Sequence, residues 1–214
     1  MEVRKTPLIV SALVVAGGAA TAMADFQGIS WTSTASQWGV TYQIFVDVEV
    51  GDQLNAVYGD GDNALSVDST GAFYQNAFGG AVSTAINPSL IAVFPSLAYD
   101  SWVTIGLSDQ VGNAMLNIGI DWANFEAGGS IWTDNGSWFA TPDDAQVFEI
   151  GGRIMIMQLT LDEAESFAFT INLQGKNADG SNWTALNVTY PMPPAPGALA
   201  LLGLAGVTVR RRRR

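Results

Sequence analysis

TYQIFVDVEV, residues 41–50, alternates apolar and polar side chains and decides the fold class. Every second side chain would lie on one apolar face: Tyr42, Ile44, Val46, Val48 and Val50. The polar residues between them would lie on the other face: Gln43, Asp47 and Glu49. A period of two is that of a β-strand with one buried face. We therefore predict a half-buried strand over residues 41–50.

Further segments along the chain are typical of strands. Residues 167–174 and 183–190 alternate in the same way, and with the turn between them they predict a C-terminal hairpin. Nearly continuous apolar runs predict strands buried on both faces: residues 102–107, 115–120 and 153–161. Shorter strand candidates are residues 54–58, 64–67 and 71–74. Residues 82–97, broken by Pro88 and Pro95, stay ambiguous, and no amphipathic helix stands out.

Turn signals rich in Gly, Asp and Asn separate these candidate strands: residues 59–63, 128–129, 134–136, 151–152 and 177–180. Glycine adopts positive φ angles freely, and Asp and Asn side chains bond to the backbone of a turn. Many short strands with frequent turns are typical of sandwiches and barrels. We predict an all-β domain over residues 25–190, an antiparallel β-sandwich of the jelly-roll or immunoglobulin-like type. An N-terminal signal helix and a short C-terminal hydrophobic helix would flank it.

The N-terminal residues 1–24 have the three parts of a secretory signal peptide. Arg4 and Lys5 give a positive start, and residues 7–20 are apolar. Small residues then form an A-x-A cleavage motif, and the expected cleavage-site residues are Ala22, Ala24 and Asp25. A positively charged start, then an apolar stretch, then small residues is the order typical of a secretory signal peptide. The alternative is a short buried helix.

The C-terminal residues 191–214 also have three parts. A proline-rich stretch begins at residue 191, and residues 198–209 are then continuously apolar. Five arginines end the chain: Arg210, Arg211, Arg212, Arg213 and Arg214. Twelve residues span about 18 Å as a helix, whereas a bilayer core needs about 20 apolar residues. The length favours transient membrane engagement with the arginines on the cytoplasmic side, over a tail anchor or interfacial helix.

This tail resembles the PEP-CTERM sorting signal of bacteria, which has a Pro-Glu-Pro-like motif, a short hydrophobic helix and an arginine cluster. The matching residues are Pro194, Ala195, Pro196 and Gly197. Ala195 stands where the family usually has Glu. The resemblance implies processing by an exosortase-like membrane transpeptidase that acts near this motif. It also implies association with exopolysaccharide production, because proteins with such tails accompany it.

Charge is distributed unevenly between the domain and the two terminal segments. The whole chain has nine basic and twenty acidic residues, for a net charge of −11. Only Arg153 and Lys176 remain basic between the terminal segments, so the mature domain has a net charge near −17. Nucleic-acid binding is excluded, because it requires cationic side chains that neutralise phosphates. The acidity suits a soluble external protein that could collect divalent cations.

The chain contains no His and no Cys. Zinc and copper sites lose their usual ligands, and a Ser-His-Asp triad cannot be built. Exported proteins often use disulfides, but a chain without Cys can form none. The domain must therefore be held together by burial alone. About 165 residues provide enough core for that.

Asp60, Asp62 and Asp68 form the densest acidic region and are weak candidates for calcium ligands. Calcium prefers clustered carboxylate and carbonyl oxygens on a turning backbone. An EF-hand is not present, because Ala64 stands at the third ligand position and no Glu follows at the twelfth. The alternative is an Asp/Gly turn between two strands.

Seven tryptophans are many for a chain of this length. An exposed indole beside Asp or Asn makes a sugar platform, because the aromatic face stacks on the apolar side of a pyranose ring. The richest group gives the candidate glycan contacts: Trp122, Trp132, Asp134 and Trp138. The alternative is that these aromatics belong to the core or anchor loops.

Two acidic pairs could in principle serve glycoside hydrolysis, which uses two carboxylates about 5–10 Å apart. They are Asp143 with Asp144, and Glu163 with Glu165. Neighbours within one turn seldom face each other across a substrate, so solvated turn acids are the simpler interpretation. Three Asn-x-Ser/Thr sequons, at Asn135, Asn182 and Asn187, are interpreted as chance matches given the bacterial tail.

The sequence therefore predicts an exported, non-enzymatic surface or matrix protein with a structural or adhesive role. The alternative is a carbohydrate-binding module for exopolysaccharide, and a carboxylate-based hydrolase ranks third. The expected partners are the exosortase-like enzyme, transiently, and exopolysaccharide. No cofactor is expected beyond the calcium candidate.

Overall fold

The computed structural model of the protein describes residues 26–190. The predicted leader with its cleavage site, the sorting motif, the hydrophobic tail helix and the arginine cluster lie outside the described residues. The strands are β1 Phe26–Ser36, β2 Gly39–Val48, β3 Gln53–Gly59, β4 Leu65–Ser69, β5 Trp102–Val103, β6 Leu116–Ile118, β7 Ile131–Thr133, β8 Gly136–Phe139, β9 Arg153–Leu161, β10 Phe167–Lys176 and β11 Asn182–Tyr190. Two single-turn helices, α1 Pro88–Ile91 and α2 Ala123–Glu126, interrupt the strands. Short 3₁₀ turns cover Ser83–Ala85, Pro95–Tyr99 and Ala145–Val147.

Eleven strands form two antiparallel sheets, which confirms the predicted all-β sandwich. The smaller sheet has the order β1-β2-β9-β5. The larger has the order β6-β8-β3-β10-β4-β7, with β11 on the free side of β10. The two sheets share one continuous apolar core. Tyr42 of the smaller sheet and Phe167 of the larger meet edge to face, with ring centroids 5.1 Å apart.

The alternation in residues 41–50 is borne out on β2. Its inward side chains are all buried: Val40, Tyr42, Ile44, Val46 and Val48. The strand stops at Val48, however, and Val50 is 82 % exposed in the turn that follows. Glycine and Asp come directly after Val50, and Asp52 N–H bonds to the Glu49 carbonyl to close the turn. Backbone turn chemistry thus ends the strand one apolar residue earlier than the pattern predicted.

The run at residues 153–161 is buried on both faces, as predicted, because the smaller sheet is covered outside as well as inside. A second apolar cluster lies on its outer face: Ile86, Leu97, Trp102 and Met155. The ambiguous residues 82–97 supply this cover as short helical turns, with Asn87 capping α1 through a 3.0 Å bond from the Ser89 N–H. Three-residue to five-residue turns explain why no helical period was visible in the sequence.

Three of the other strand predictions require correction. Residues 115–120 were expected to be buried on both faces, but Leu116 and Ile118 of β6 are 57 % and 67 % exposed at the edge of the larger sheet. Residues 102–107 form a strand of two residues only. Residues 71–74 form no strand.

The described chain enters and leaves the sandwich at opposite ends. Phe26 pairs with Val48, where β2 finishes. Tyr190 pairs with Phe169 near the start of β10, which follows the end of β9 and therefore lies where β2 begins. Among residues 26–190, no helix has the length and apolarity required to cross a bilayer.

Candidate functional site

A row of side chains runs across the outer face of the larger sheet. Trp132 of β7 pairs with Ser66 of β4, and Ser66 pairs in turn with Thr170 of β10. Thr170 pairs on its other side with Thr189 of β11. Directly opposed residues in antiparallel strands project from the same face. The row therefore presents one indole followed by three hydroxyl groups, and Trp132 is 60 % exposed.

An open groove of about 400 Å³ lies over the hydroxyl end of this row. The residues that line it, called the outer groove below, are Ser66, Asp68, Ala168, Phe169, Thr170, Thr189 and Tyr190. Asp68 pairs with Ala168 one step along the strands from Ser66 and Thr170, so its carboxylate adds an acceptor beside the hydroxyls. Hydroxyls, one carboxylate and an adjacent indole can bind a polar ring that has one apolar side.

The predicted glycan group is only partly brought together, because Trp138 is a core residue. Its side chain is 0 % exposed, and its indole N–H donates to the Thr104 carbonyl at 3.1 Å. A buried indole cannot stack on a sugar, so the expectation for Trp138 was wrong. Trp132 and Trp138 both lie on strands, β7 and β8.

Trp122 and Asp134 do not line the outer groove. Trp122 is half-buried against the core, and its indole N–H donates to Asn117 Oδ1 at 3.0 Å. Its ring packs at 6.4 Å from Trp138. Asp134 is exposed in the turn between β7 and β8, two positions after Trp132. Trp132 is therefore the one tryptophan of the predicted group with a free face.

The acidic loop of Asp60 and Asp62 is organised internally. Asp60 Oδ1 accepts the N–H of Asp62 at 3.0 Å, and the backbone and side-chain N–H groups of Asn63 at 2.8 and 3.2 Å. These hydrogen bonds to the charged form lower the pKa of Asp60. Within residues 26–190, no three acidic side chains gather as a metal site would require. The hydrogen bonds within the loop fit the alternative of an Asp/Gly turn, and calcium binding by Asp60, Asp62 and Asp68 stays a prediction.

Asn172 connects this loop to the sheet. Strands β3 and β4 pair end to end with one side of β10, and residues 60–64 loop out between them. Asn172 lies at that gap, fully buried, and donates to the carbonyls of Tyr58 and Asn63 at 2.9 and 2.7 Å. Its Oδ1 accepts the N–H of Asn187 at 2.8 Å, where β11 bulges with φ 51°. The Asn172 side chain thus supplies hydrogen bonds where strand pairing is interrupted on each side of β10: at the gap between β3 and β4, and at the bulge of β11.

The acidic pairs do not form a hydrolytic site. Asp143 accepts from Gln53 Nε2 at 2.9 Å and lies 3.8 Å from Lys176 Nζ, whereas Asp144 caps the Ala145–Val147 turn. Glu165 accepts a hydrogen bond from the Thr70 hydroxyl, and Glu163 is exposed. Each carboxylate of these pairs other than Glu163 therefore has a structural partner in a turn.

The carboxylate with the largest pKa change lies elsewhere, at Asp100. Burial raises its pKa to about 6, and the nearby Glu126 acts in the same direction. Its oxygens accept the N–H groups of Asn76 at 2.6 Å and Gly80 at 3.0 Å. Sequence reasoning missed Asp100, since nothing marks a single Asp before a strand as buried. The Asp100 carboxylate accepts hydrogen bonds from backbone N–H groups at both ends of the 76–80 loop. It therefore holds this loop in place.

Sequence reasoning also missed the outer-groove hydroxyls. Thr170 had been placed correctly on the polar face of its strand, but the strand order that aligns it with Ser66 and Thr189 cannot be derived from alternation. No family model matches the chain, and no curated protein or solved structure is significantly similar to it.

Proposed function

We propose that the protein is an exported cell-surface or extracellular-matrix protein with a structural or adhesive role. The observation that carries this proposal is the combination of a leader-like N-terminus, a three-part sorting tail and a cysteine-free acidic sandwich. The last strand, β11, ends at Tyr190, immediately before the proline-rich stretch. Because its final strand ends before the tail, the domain can fold completely before the tail is processed.

Localisation of the full-length chain in its native host tests this proposal. Deletion of Arg210–Arg214 should leave the tail unprocessed and the protein retained at the inner membrane. Replacing the same five arginines by lysines preserves the positive charge and should restore delivery. Identical localisation and processing of the deletion variant would contradict a sorting role for the tail.

A second candidate function is binding of exopolysaccharide through the outer groove and Trp132. The supporting observation is the exposed indole in line with Ser66, Thr170 and Thr189. The indole face would stack on a pyranose ring, and the hydroxyls and Asp68 would exchange hydrogen bonds with sugar hydroxyls. We expect weak binding, because the groove is open to solvent.

A polysaccharide array with the folded protein tests this second function. Trp132→Ala should abolish the signal, and Thr170→Val, which removes one hydroxyl, should weaken it. Trp38→Ala is the matched control, because Trp38 stacks on Tyr99 at 4.8 Å on another part of the molecule. Equal glycan signals for all three variants, or none for the unaltered protein, would remove this candidate.

A further inference from the structure

The structure points to a homophilic contact: we propose that β1 pairs antiparallel with β1 of a second copy of this chain. The two smaller sheets would then join into one continuous sheet across a two-fold axis. This inference concerns the adhesive role and rests on the proposed function, because it identifies what the surface protein would adhere to. It starts from the difference between β1 and every other sheet edge of the described residues.

β1 is a long edge strand that, beyond an irregularity between Phe26 and Gly28, has none of the features that normally block edge pairing. It has eleven residues and pairs with β2 alone among the described strands. From Gly28 to Ser36 its register is unbroken. The other edges are protected, because β5, β6 and β7 have only two or three residues and β11 is broken by the bulge at Asn187. Natural sheets shorten, bulge or charge their edges to prevent association.

Every second residue of β1 offers its backbone to a partner. The turn at Gln37 and Trp38 has two residues, so Ser36 and Gly39 form the first hydrogen-bonded pair of the hairpin. The alternate residues then turn their N–H and C=O groups away from β2: Ile29, Trp31, Ser33 and Ala35. These groups form a ladder of unpaired donors and acceptors along the free edge, within the described part of the chain.

The edge strand is held in place by the core. The rings of Trp31 and Tyr190 meet edge to face at 5.1 Å, which ties β1 to β11. Phe26 and Ile29 also pack against the main core. A strand fixed in this way loses little conformational entropy when it binds a partner.

The charge distribution permits two copies to meet along this edge and disfavours their contact elsewhere. Residues 26–190 contain eighteen acidic and two basic residues, so two copies repel each other over most of their surfaces. No charged residue occurs between Asp25 and Asp47, which leaves β1 and the first half of β2 neutral. Two copies can therefore approach closely along this edge, and added salt should strengthen the contact by screening the remaining repulsion.

The antiparallel arrangement also sets the direction of the two tails. β1 runs from the Phe26 end of the sandwich towards the end where Tyr190 leaves. In an antiparallel pair the two Tyr190 ends therefore point in opposite directions. Copies held by their tails on two facing surfaces can form this pair, because their Tyr190 ends then point towards opposite surfaces. The contact is suited to joining two cells or two matrix layers.

The decisive experiment measures self-association of the full-length protein by sedimentation, with Ser33→Pro and Ala35→Pro as variants. Proline is tolerated where the N–H faces away from the neighbouring strand, so both variants should fold. Each removes one donor per copy, which should raise the dimer dissociation constant at least about 30-fold. Ser33→Thr keeps the N–H and should dimerise normally. Circular dichroism checks that each variant is folded.

A second measurement does not depend on proline. The chain lacks Cys, so single cysteines allow specific labelling. A donor dye at Val50→Cys in one copy and an acceptor at Glu163→Cys in another should come close in the dimer, whereas two dyes at Glu163→Cys should stay far apart. A monomer at all concentrations, dimers unaffected by both prolines, or two close Glu163 labels would each overturn the proposal.

Delivery and pairing can fail separately. If the proposed function is wrong but the inference holds, the purified chain dimerises through β1 although the tail does not direct it to the surface. If only the inference is wrong, the protein reaches the surface, and beads coated with it through the C-terminus do not cluster. Clustering of such beads, lost with Ser33→Pro, is the expected result.

Discussion

Asn172 donates a hydrogen bond of 2.7 Å to the carbonyl oxygen of Asn63, a residue 109 positions earlier in the chain. The contact spans the gap where residues 60–64 leave the sheet, and Asn187 Nδ2 bonds Asn63 Oδ1 at 2.7 Å from the other side. Because Asn172 is fully buried, its amide has no water to replace these partners. The acidic loop is therefore fixed by the sheet, and its position depends on this one side chain.

Replacing Asn172 by Leu should lower the free energy of unfolding by about 3 kcal/mol, because buried backbone groups lose their partners. Asn172→Asp should cost at least as much, since a carboxylate would face the carbonyl oxygens of Tyr58 and Asn63. Urea unfolding followed by tryptophan fluorescence measures both changes. Gln174→Ala, an exposed change on the same strand, should alter stability by less than about 0.5 kcal/mol.

Replacement of Trp132 and of Trp138, which lie six positions apart, should affect stability to very different extents. Trp138→Ala empties a fully buried site and should destabilise the domain by about 3–5 kcal/mol. Trp132→Ala, at a side chain that is 60 % exposed, should cost less than about 1 kcal/mol. Denaturant melts of the two variants make the comparison. A large loss for Trp132→Ala would mean that this indole is structural and would weaken its assignment to a sugar.

The domain should be more stable at mildly acidic pH than at neutral pH. The folded-state pKa of Asp100 is raised from 3.8 to about 6, so its contribution to stability is full below 3.8 and is lost as the pH rises through about 6. Burial also raises the pKa of Asp47, which acts in the same direction. From Asp100 alone, stability should fall by about 1 kcal/mol between about pH 5 and pH 7.5.

Thermal unfolding across this pH range tests the assignment. Asp100→Asn should lose most of the pH dependence and be less stable throughout, because an amide has one acceptor oxygen for the N–H groups of Asn76 and Gly80. Asp134→Asn, at an exposed turn, should keep the full dependence. Unchanged pH dependence in Asp100→Asn would show that other groups carry the effect.

Gly175 lies in a tightly packed part of the sheet, whereas Gly61 lies in an open turn. A methyl group added at Gly175 would overlap the Gln53 carbonyl oxygen and the Trp183 ring, whereas at Gly61 it would meet no atom within 4 Å. Gly175→Ala should therefore cost about 2 kcal/mol or more through overpacking, and Gly61→Ala less than about 0.5 kcal/mol. Melting temperatures of the two variants provide the test. Similar melting temperatures would contradict the close approach of β3, β10 and β11 at Gly175.

Strand periodicity predicted the long strands well, because one face of each is buried. The pattern in residues 153–161 and 167–174 corresponds to β9 and β10. It failed for β11, where Leu186 was expected to point inward with Val188. The bulge at Asn187 shifts the alternation, and Leu186 is 52 % exposed. A bulge depends on the neighbouring strand, so local sequence does not reveal it.

The strand β1 was not predicted at all, and the reason bears on the candidate sites. Its segment is rich in Ser and Thr, and its apolar residues are too sparse for a clear period. The side chains of this edge strand are only partly buried, so its sequence shows a weaker apolar–polar alternation. The outer groove was missed for a related reason, since Ser66, Thr170 and Thr189 are brought together only by the order of three strands.

The opposite placement of Phe26 and Tyr190 has a mechanical consequence. A pull on Tyr190 draws β11 lengthwise along β10, and a load carried by β1 draws that strand lengthwise along β2. Tension between these strands therefore loads each ladder in shear, so that many hydrogen bonds share the force together rather than opening one after another. In a single-molecule pulling experiment through the two ends, we expect an abrupt rupture at high force.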